Sequence, residues 1–227
     1  MKNINIIILF VCFLYLNANA QFYSDCDSLP KYDNFSQDYL TGHLFTDYNR
    51  GMKEQYYGDW YTADVLLENN KKIYNVRLRY NCLLEQFLWQ RETNGQIAVA
   101  DKEPIKSIVL YSSNNNVLEF EKVNFSKMIG NDTSSVYLQI LNKGKIVLYA
   151  RRKILITMSG EVLYKDRYYI LHNNNLKQIY PKVISLIVSL GDDKKMMKNV
   201  LRENRVWVRN EETLVKAINA YNRAYSR

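Results

Sequence analysis

Histidine and cysteine are scarce in this chain, two of the first and three of the second among 227 residues. With only His43 and His172 to serve as a histidine base, and no G-x-S-x-G turn to present a serine, nucleophilic catalysis has no evident place. His172 precedes three asparagines and reads as a turn-edge residue; His43 follows Gly42 in an irregular stretch. Zinc is equally hard to place, because the histidines and cysteines are scattered without ligand spacing. An EF-hand loop, a P-loop and a dinucleotide fingerprint are absent. So is any apolar run of the roughly 20 residues that a spanning helix needs. No repeat of fixed period and no long linker divides the chain. No cofactor, metal or catalytic residue is assigned on this basis, and the expectation is a protein that is not an enzyme.

What is present begins at the amino end. Lys2 supplies a positive charge, Ile4 to Leu16 is an apolar run broken only by Asn5, and Ala18-Asn19-Ala20 precedes Gln21 as an A-x-A cleavage site. This is the pattern of a secretory signal peptide over residues 1–20. The expected mature chain begins at residue 21, has no transmembrane span, and works in the periplasm, at the outer membrane or outside the cell. The residue directly after the cleavage site is Gln21 rather than a cysteine, so a lipoprotein anchor is not expected. Cys12 leaves with the leader. Cys26 and Cys82 remain as an even pair in an oxidising compartment, and both a disulfide and a buried thiol at Cys82 account for them.

The formal net charge is +8, or +7 once Lys2 is removed. A basic exported chain favours anionic envelope material such as lipopolysaccharide, acidic phospholipid or acidic glycans, although basic charge also serves solubility. Nucleic acid is not an expected partner, since export separates the two and no nucleic-acid motif is present.

Residues 21–55 form a polar, Tyr/Asp-rich lead-in with room for one short strand. From residue 56 to 180 the apolar residues alternate. The clearest case is Ile73 to Cys82, where Asn75, Arg77, Arg79 and Asn81 occupy the opposite face. Further strands are expected at Trp60–Leu67, 84–90, 96–100, 105–111, 117–123, 136–141, 145–151, 154–158, 162–164, 168–172 and 176–180. Asn142-Lys143-Gly144 and Asn173-Asn174-Asn175 are expected turns. Residues 181–227 change to helical spacing in three short segments. Pro181 opens the first, Gly191 closes it, Asp192 or Asp193 caps the second, and Asn210 caps the third. Leu214, Ala217, Ile218, Tyr221 and Tyr225 make the core stripe of that third helix, beside basic Lys216, Arg223 and Arg227. The expected fold is therefore mainly β: a twisted antiparallel meander or partial barrel with three C-terminal helices packed on it.

Candidate binding residues are basic or aromatic. Arg77 and Arg79 project from one strand face, near Tyr80, and Arg151-Arg152-Lys153 interrupts a strand; together they would line an anion-binding groove. Solvation and edge protection are the plainer explanation for the same residues. Tyrosine, present nineteen times, suits binding surfaces and half-buried strands alike. The paired carboxylates that glycan hydrolysis would need are available at Asp25/Asp27, Asp59/Asp64 and Glu119/Glu121, but the last pair alternates with Leu118 and Phe120 as a solvated face does.

Several stretches resemble uncharacterised exported proteins of Bacteroidota-type bacteria. They are Gly58-Asp59-Trp60, Val76-Arg77-Leu78-Arg79-Tyr80-Asn81, the strand Tyr168 to Leu171, and the ending from Gly191-Asp192-Asp193 to Ala220-Tyr221-Asn222. The resemblance implies location and architecture, not an activity. The functional expectation is a non-enzymatic envelope protein acting by protein or glycan contacts. The alternatives are a carrier of lipid or apolar ligand in a helix-capped half-barrel, and a carboxylate-dependent hydrolase of wall polymers.

Overall fold

The computed structural model describes residues 40–46, 52–91, 95–112, 116–125 and 135–226. Asp25, Cys26 and Asp27 lie outside the described residues, and so does the leader. The alternating segments form strands β1 (Gly42–Leu44), β2 (Tyr56–Leu67), β3 (Lys72–Asn81), β4 (Gln86–Gln90), β5 (Ile97–Ala100), β6 (Ile105–Tyr111), β7 (Val117–Asn124), β8 (Ser135–Asn142), β9 (Val147–Arg151), β10 (Ile154–Ile156), β11 (Val162–Tyr164), β12 (Arg167–His172) and β13 (Asn175–Ile179). Helices α1 (Val183–Ser189), α2 (Lys194–Glu203) and α3 (Glu211–Tyr225) follow.

Eleven strands make one antiparallel sheet in the order β1-β5-β4-β3-β2-β6-β7-β8-β9-β12-β13, while β10 and β11 form a separate hairpin. The sheet is open, so it does not close into a barrel. It is also not a strict meander: β2 pairs with β6 across two intervening hairpins, and β1 pairs with β5. Asparagine supplies the turns as its chemistry allows. Asn173 and Asn174 both have positive φ (50° and 58°) between the paired residues His172 and Asn175. That is the two-residue hairpin turn whose twist matches the flanking strands.

Register fixes the two faces. Phe120, Gln139, Ala150 and Tyr168 are successive cross-strand partners and therefore share a face. In the first half of the sheet this face buries Ala63, Leu78, Tyr80, Phe87, Ile108 and Phe120. Its centre is aromatic, with Tyr80–Phe87, Phe87–Phe120 and Phe87–Tyr137 ring centroids 4.9, 5.2 and 5.0 Å apart. In the second half the same face carries Leu148 and Ile170 beneath Leu186, Met197, Leu214, Ile218 and Tyr221 of the helices. These side chains fill the space between sheet and helices. The opposite face buries a smaller group that includes Leu138, Tyr149 and Tyr169 around Phe125.

The third helix begins as its sequence implies. Asn210 Oδ1 accepts from Thr213 N at 3.0 Å, and Thr213 Oγ1 accepts in return from Asn210 N at 3.1 Å, a reciprocal cap. The second helix differs from expectation. Neither aspartate caps it with a side chain: Gly191–Asp193 makes a 3-10 turn, and the Asp193 carboxylate instead lies 2.9 Å from His172 Nε2.

Candidate functional site

The basic residues expected to form one groove are dispersed by the fold. Arg77 is exposed on β3. Arg79, on the same face, donates from Nε and a terminal nitrogen to Gly58 O and lies 3.8 Å above the Tyr56 ring. Tyr80 points the other way and is fully buried in the aromatic core. Arg151 and Arg152 diverge as consecutive residues do at a strand end. Arg151 and Lys153 both bond Glu85, a residue held at φ 54°. Arg152, 5% exposed, donates to Gln139 at 2.7 Å, to Asp166 at 2.6 Å, and twice to Glu211. These arginines join elements together. Cys82 is buried and has no disulfide partner among the described residues, and burial pushes its thiol pKa up to about 12; Cys26, the other half of the expected pair, lies outside the described residues.

The carboxylates considered for hydrolysis are engaged separately. Asp64 accepts from the Tyr111 hydroxyl at 2.8 Å, Glu121 accepts from the Tyr149 hydroxyl at 2.8 Å, and Glu119 pairs with Lys143. Asp59 accepts from the neighbouring Trp60 N–H.

A cleft of about 520 Å³ opens elsewhere, between the end of α2 and the flank of α3. It is lined by Asn204, Val206, Lys216, Asn219, Ala220 and Arg223. Two local rules build it. Residues 216, 219, 220 and 223 are spaced by three and four, so they share one flank of α3, beside the buried stripe of Leu214, Ala217, Ile218 and Tyr221. The other wall is the stop of α2. Val206 N donates to Leu201 O at 3.0 Å and Arg205 N to Arg202 O at 3.2 Å. This is the crossed pair of bonds that ends a helix through a left-handed residue. Glycine usually occupies that position, but here Arg205 takes it with φ 52°.

The cleft is basic and amide-rich. Lys216 pairs with Glu212 at 2.6 Å in the exposed first turns of α3, while Arg223 carries no ion pair among the described residues. Asn219 Oδ1 accepts from Asn142 at 2.5 Å, which leaves the Asn219 amino group to donate elsewhere. Asn142 in turn accepts from Asn222 at 2.6 Å, and Asn222 clamps Ile146 through both its N–H and its carbonyl. The lining amide is thus held by the β8–β9 turn. Next to Val206 in the chain, Trp207 is 70% exposed between Arg205 and Arg209. The sequence shows the spacing of Lys216 and Arg223. It does not show that Asn204 and Val206 face them from another element.

Comparison with protein-family models, curated proteins and solved structures finds no significant match.

Proposed function

We propose that the chain is an exported, non-enzymatic binding protein whose α2–α3 cleft takes an anionic glycan. The observation that carries this reading is the lining itself: Lys216 and Arg223 beside the Asn204 and Asn219 amides in one open cleft. A carboxylate or sulfate on a sugar meets charge-assisted donors there, and sugar hydroxyls meet amides, which both donate and accept. An exposed tryptophan nearby suits stacking on a pyranose face. The leader pattern at residues 1–20 supports export, where such polymers are found. The filled space between sheet and helices favours a surface binder over a carrier that encloses an apolar ligand. The separate engagement of the candidate carboxylates favours binding over hydrolysis.

Titration calorimetry with polygalacturonate, and with neutral dextran as control, tests the reading. The uronate polymer should bind with an affinity that falls as salt rises. Lys216→Ala with Arg223→Ala should weaken it by about tenfold or more, as loss of charge-assisted bonds implies. Equal binding of dextran, or an unchanged affinity in the double variant, rules the cleft out.

A further inference from the structure

Helix α1 is apolar along nearly its whole length, Val-Ile-Ser-Leu-Ile-Val-Ser. Leu186 accounts for the inner side and is fully buried against the sheet and the other helices. Ile184 and Val188, four residues apart and so on one face, are 77% and 71% exposed. Tyr180, just ahead of the helix, is 62% exposed. Single exposed apolar side chains are ordinary, but three within nine residues make a patch that asks for a partner.

Lysines surround this patch in the chain. Lys182 precedes α1 and is exposed, and Lys177 donates to Ser189 O at the helix end. Lys194, Lys195 and Lys198 are exposed on α2, one turn beyond. Of the two acids in this stretch, Asp193 faces His172 and only Asp192 is exposed. An exposed apolar helix face in a lysine-rich stretch of chain, with an exposed tyrosine just ahead of it, has the chemistry of a segment that lies in the headgroup boundary of an anionic bilayer. A second copy of the chain is a poor occupant, because a two-fold contact would set the same lysines against each other.

We propose that α1 is a membrane-surface docking element. Ile184 and Val188 enter the acyl boundary, Tyr180 sits at headgroup depth, and the lysines meet lipid phosphates. This surface shares no residue with the α2–α3 cleft, so it stands or falls independently of the glycan reading. It requires no spanning segment, and among the described residues no helix is long and apolar enough to cross a membrane.

Co-sedimentation with large unilamellar vesicles tests the proposal, using the chain in the form recovered from the cells that make it. Phosphatidylcholine vesicles with about one quarter phosphatidylglycerol should retain the protein more strongly than pure phosphatidylcholine, and salt should weaken the retention. Ile184→Asp with Val188→Asp should reduce binding to the anionic vesicles by about tenfold or more, the scale set by burying two aliphatic side chains. Lys182→Glu with Lys194→Glu and Lys195→Glu should reduce it comparably, which carries the test should the aspartate variant fold poorly. Undiminished binding in the lysine variant overturns the proposal. So does equal retention on uncharged vesicles, or a dimer in sedimentation equilibrium that Ile184→Asp with Val188→Asp dissociates.

Discussion

The guanidinium of Arg152 holds the Glu211 carboxylate by two hydrogen bonds, 2.7 and 2.9 Å long. It thereby ties the residue after β9 to the first residue of α3. The remaining donors of the same side chain reach Asp166 and Gln139, and its carbon lies 5.1 Å from the centre of the Tyr57 ring. One arginine thus links the edge of the aromatic core, the loop before β12 and the helical layer.

Replacing Arg152 should therefore cost more than replacing any one of its partners. Arg152→Met takes the arginine's donors from two carboxylates and a buried amide, leaving Glu211 with Tyr168 and Asp166 with the Lys153 N–H, whereas Glu211→Gln leaves the arginine with Asp166 still in place. Both acids retain about a third of their exposure, so water can recover part of the loss. The expected destabilisation is about 2–4 kcal/mol for Arg152→Met and about 1 kcal/mol for Glu211→Gln, below the full cost of breaking a wholly buried pair. Urea unfolding of the two variants checks both the order and the size. Equal costs would mean that the bonds to Asp166 and Gln139 add nothing to the Glu211 pair.

Acid should loosen the same joints. Burial by itself raises the Glu211 pKa, but the hydrogen bonds and charge of Arg152 outweigh it and hold the carboxyl below its usual range. Burial likewise opposes the lowering at Glu85, where Arg151 and Lys153 prevail. A carboxyl depressed in the folded state contributes stability that is complete above its unfolded pKa, about 4.3. That contribution disappears as pH falls through the lower folded value. The urea midpoint should change little between about pH 7 and 5 on account of these groups and drop below about pH 4. In Glu85→Gln with Glu211→Gln the acid-side drop should be shallower. A drop of undiminished depth in that variant would place the acid sensitivity elsewhere.

The strands were readable because burial of one face writes a period of two into the sequence. Ile73, Val76, Leu78 and Tyr80 are buried while Tyr74, Asn75 and Arg77 are exposed, although Asn75, at φ 60°, breaks the strict alternation between Ile73 and Val76. The α3 cap was readable because its two partners are three residues apart. Strand order was harder, since the β2–β6 pairing joins segments that other hairpins separate. Arg151 and Arg152 illustrate the same limit. A run of basic residues reads as a solvated or ligand-facing patch, and of the acids that bond them Glu85 and Glu211 lie 66 and 59 positions away and Asp166 lies 14 away. The cleft was half readable, through the helical spacing of Lys216 and Arg223. Its other wall depends on how α2 stops, at an arginine where glycine would have been the recognisable sign.

Arg205 supplies a prediction that separates stability from binding. A non-glycine residue in the left-handed region costs about 1 kcal/mol, and a helix-ending turn of this kind relieves that cost when glycine takes the position. Asn204 and Val206, its neighbours on either side, both line the cleft, and the Arg205 side chain itself is exposed. A strained position occupied by a charged residue beside a binding surface is expected where the charge is used. Arg205→Gly should therefore leave the fold as stable or raise its stability by up to about 1 kcal/mol, while weakening uronate binding severalfold. Arg205→Lys, which keeps the charge and the strain, should bind nearly as the parent does and gain no stability. Thermal unfolding and calorimetry on the same samples read both quantities. If Arg205→Gly binds polygalacturonate as tightly as the parent, the arginine owes its place to something other than the cleft.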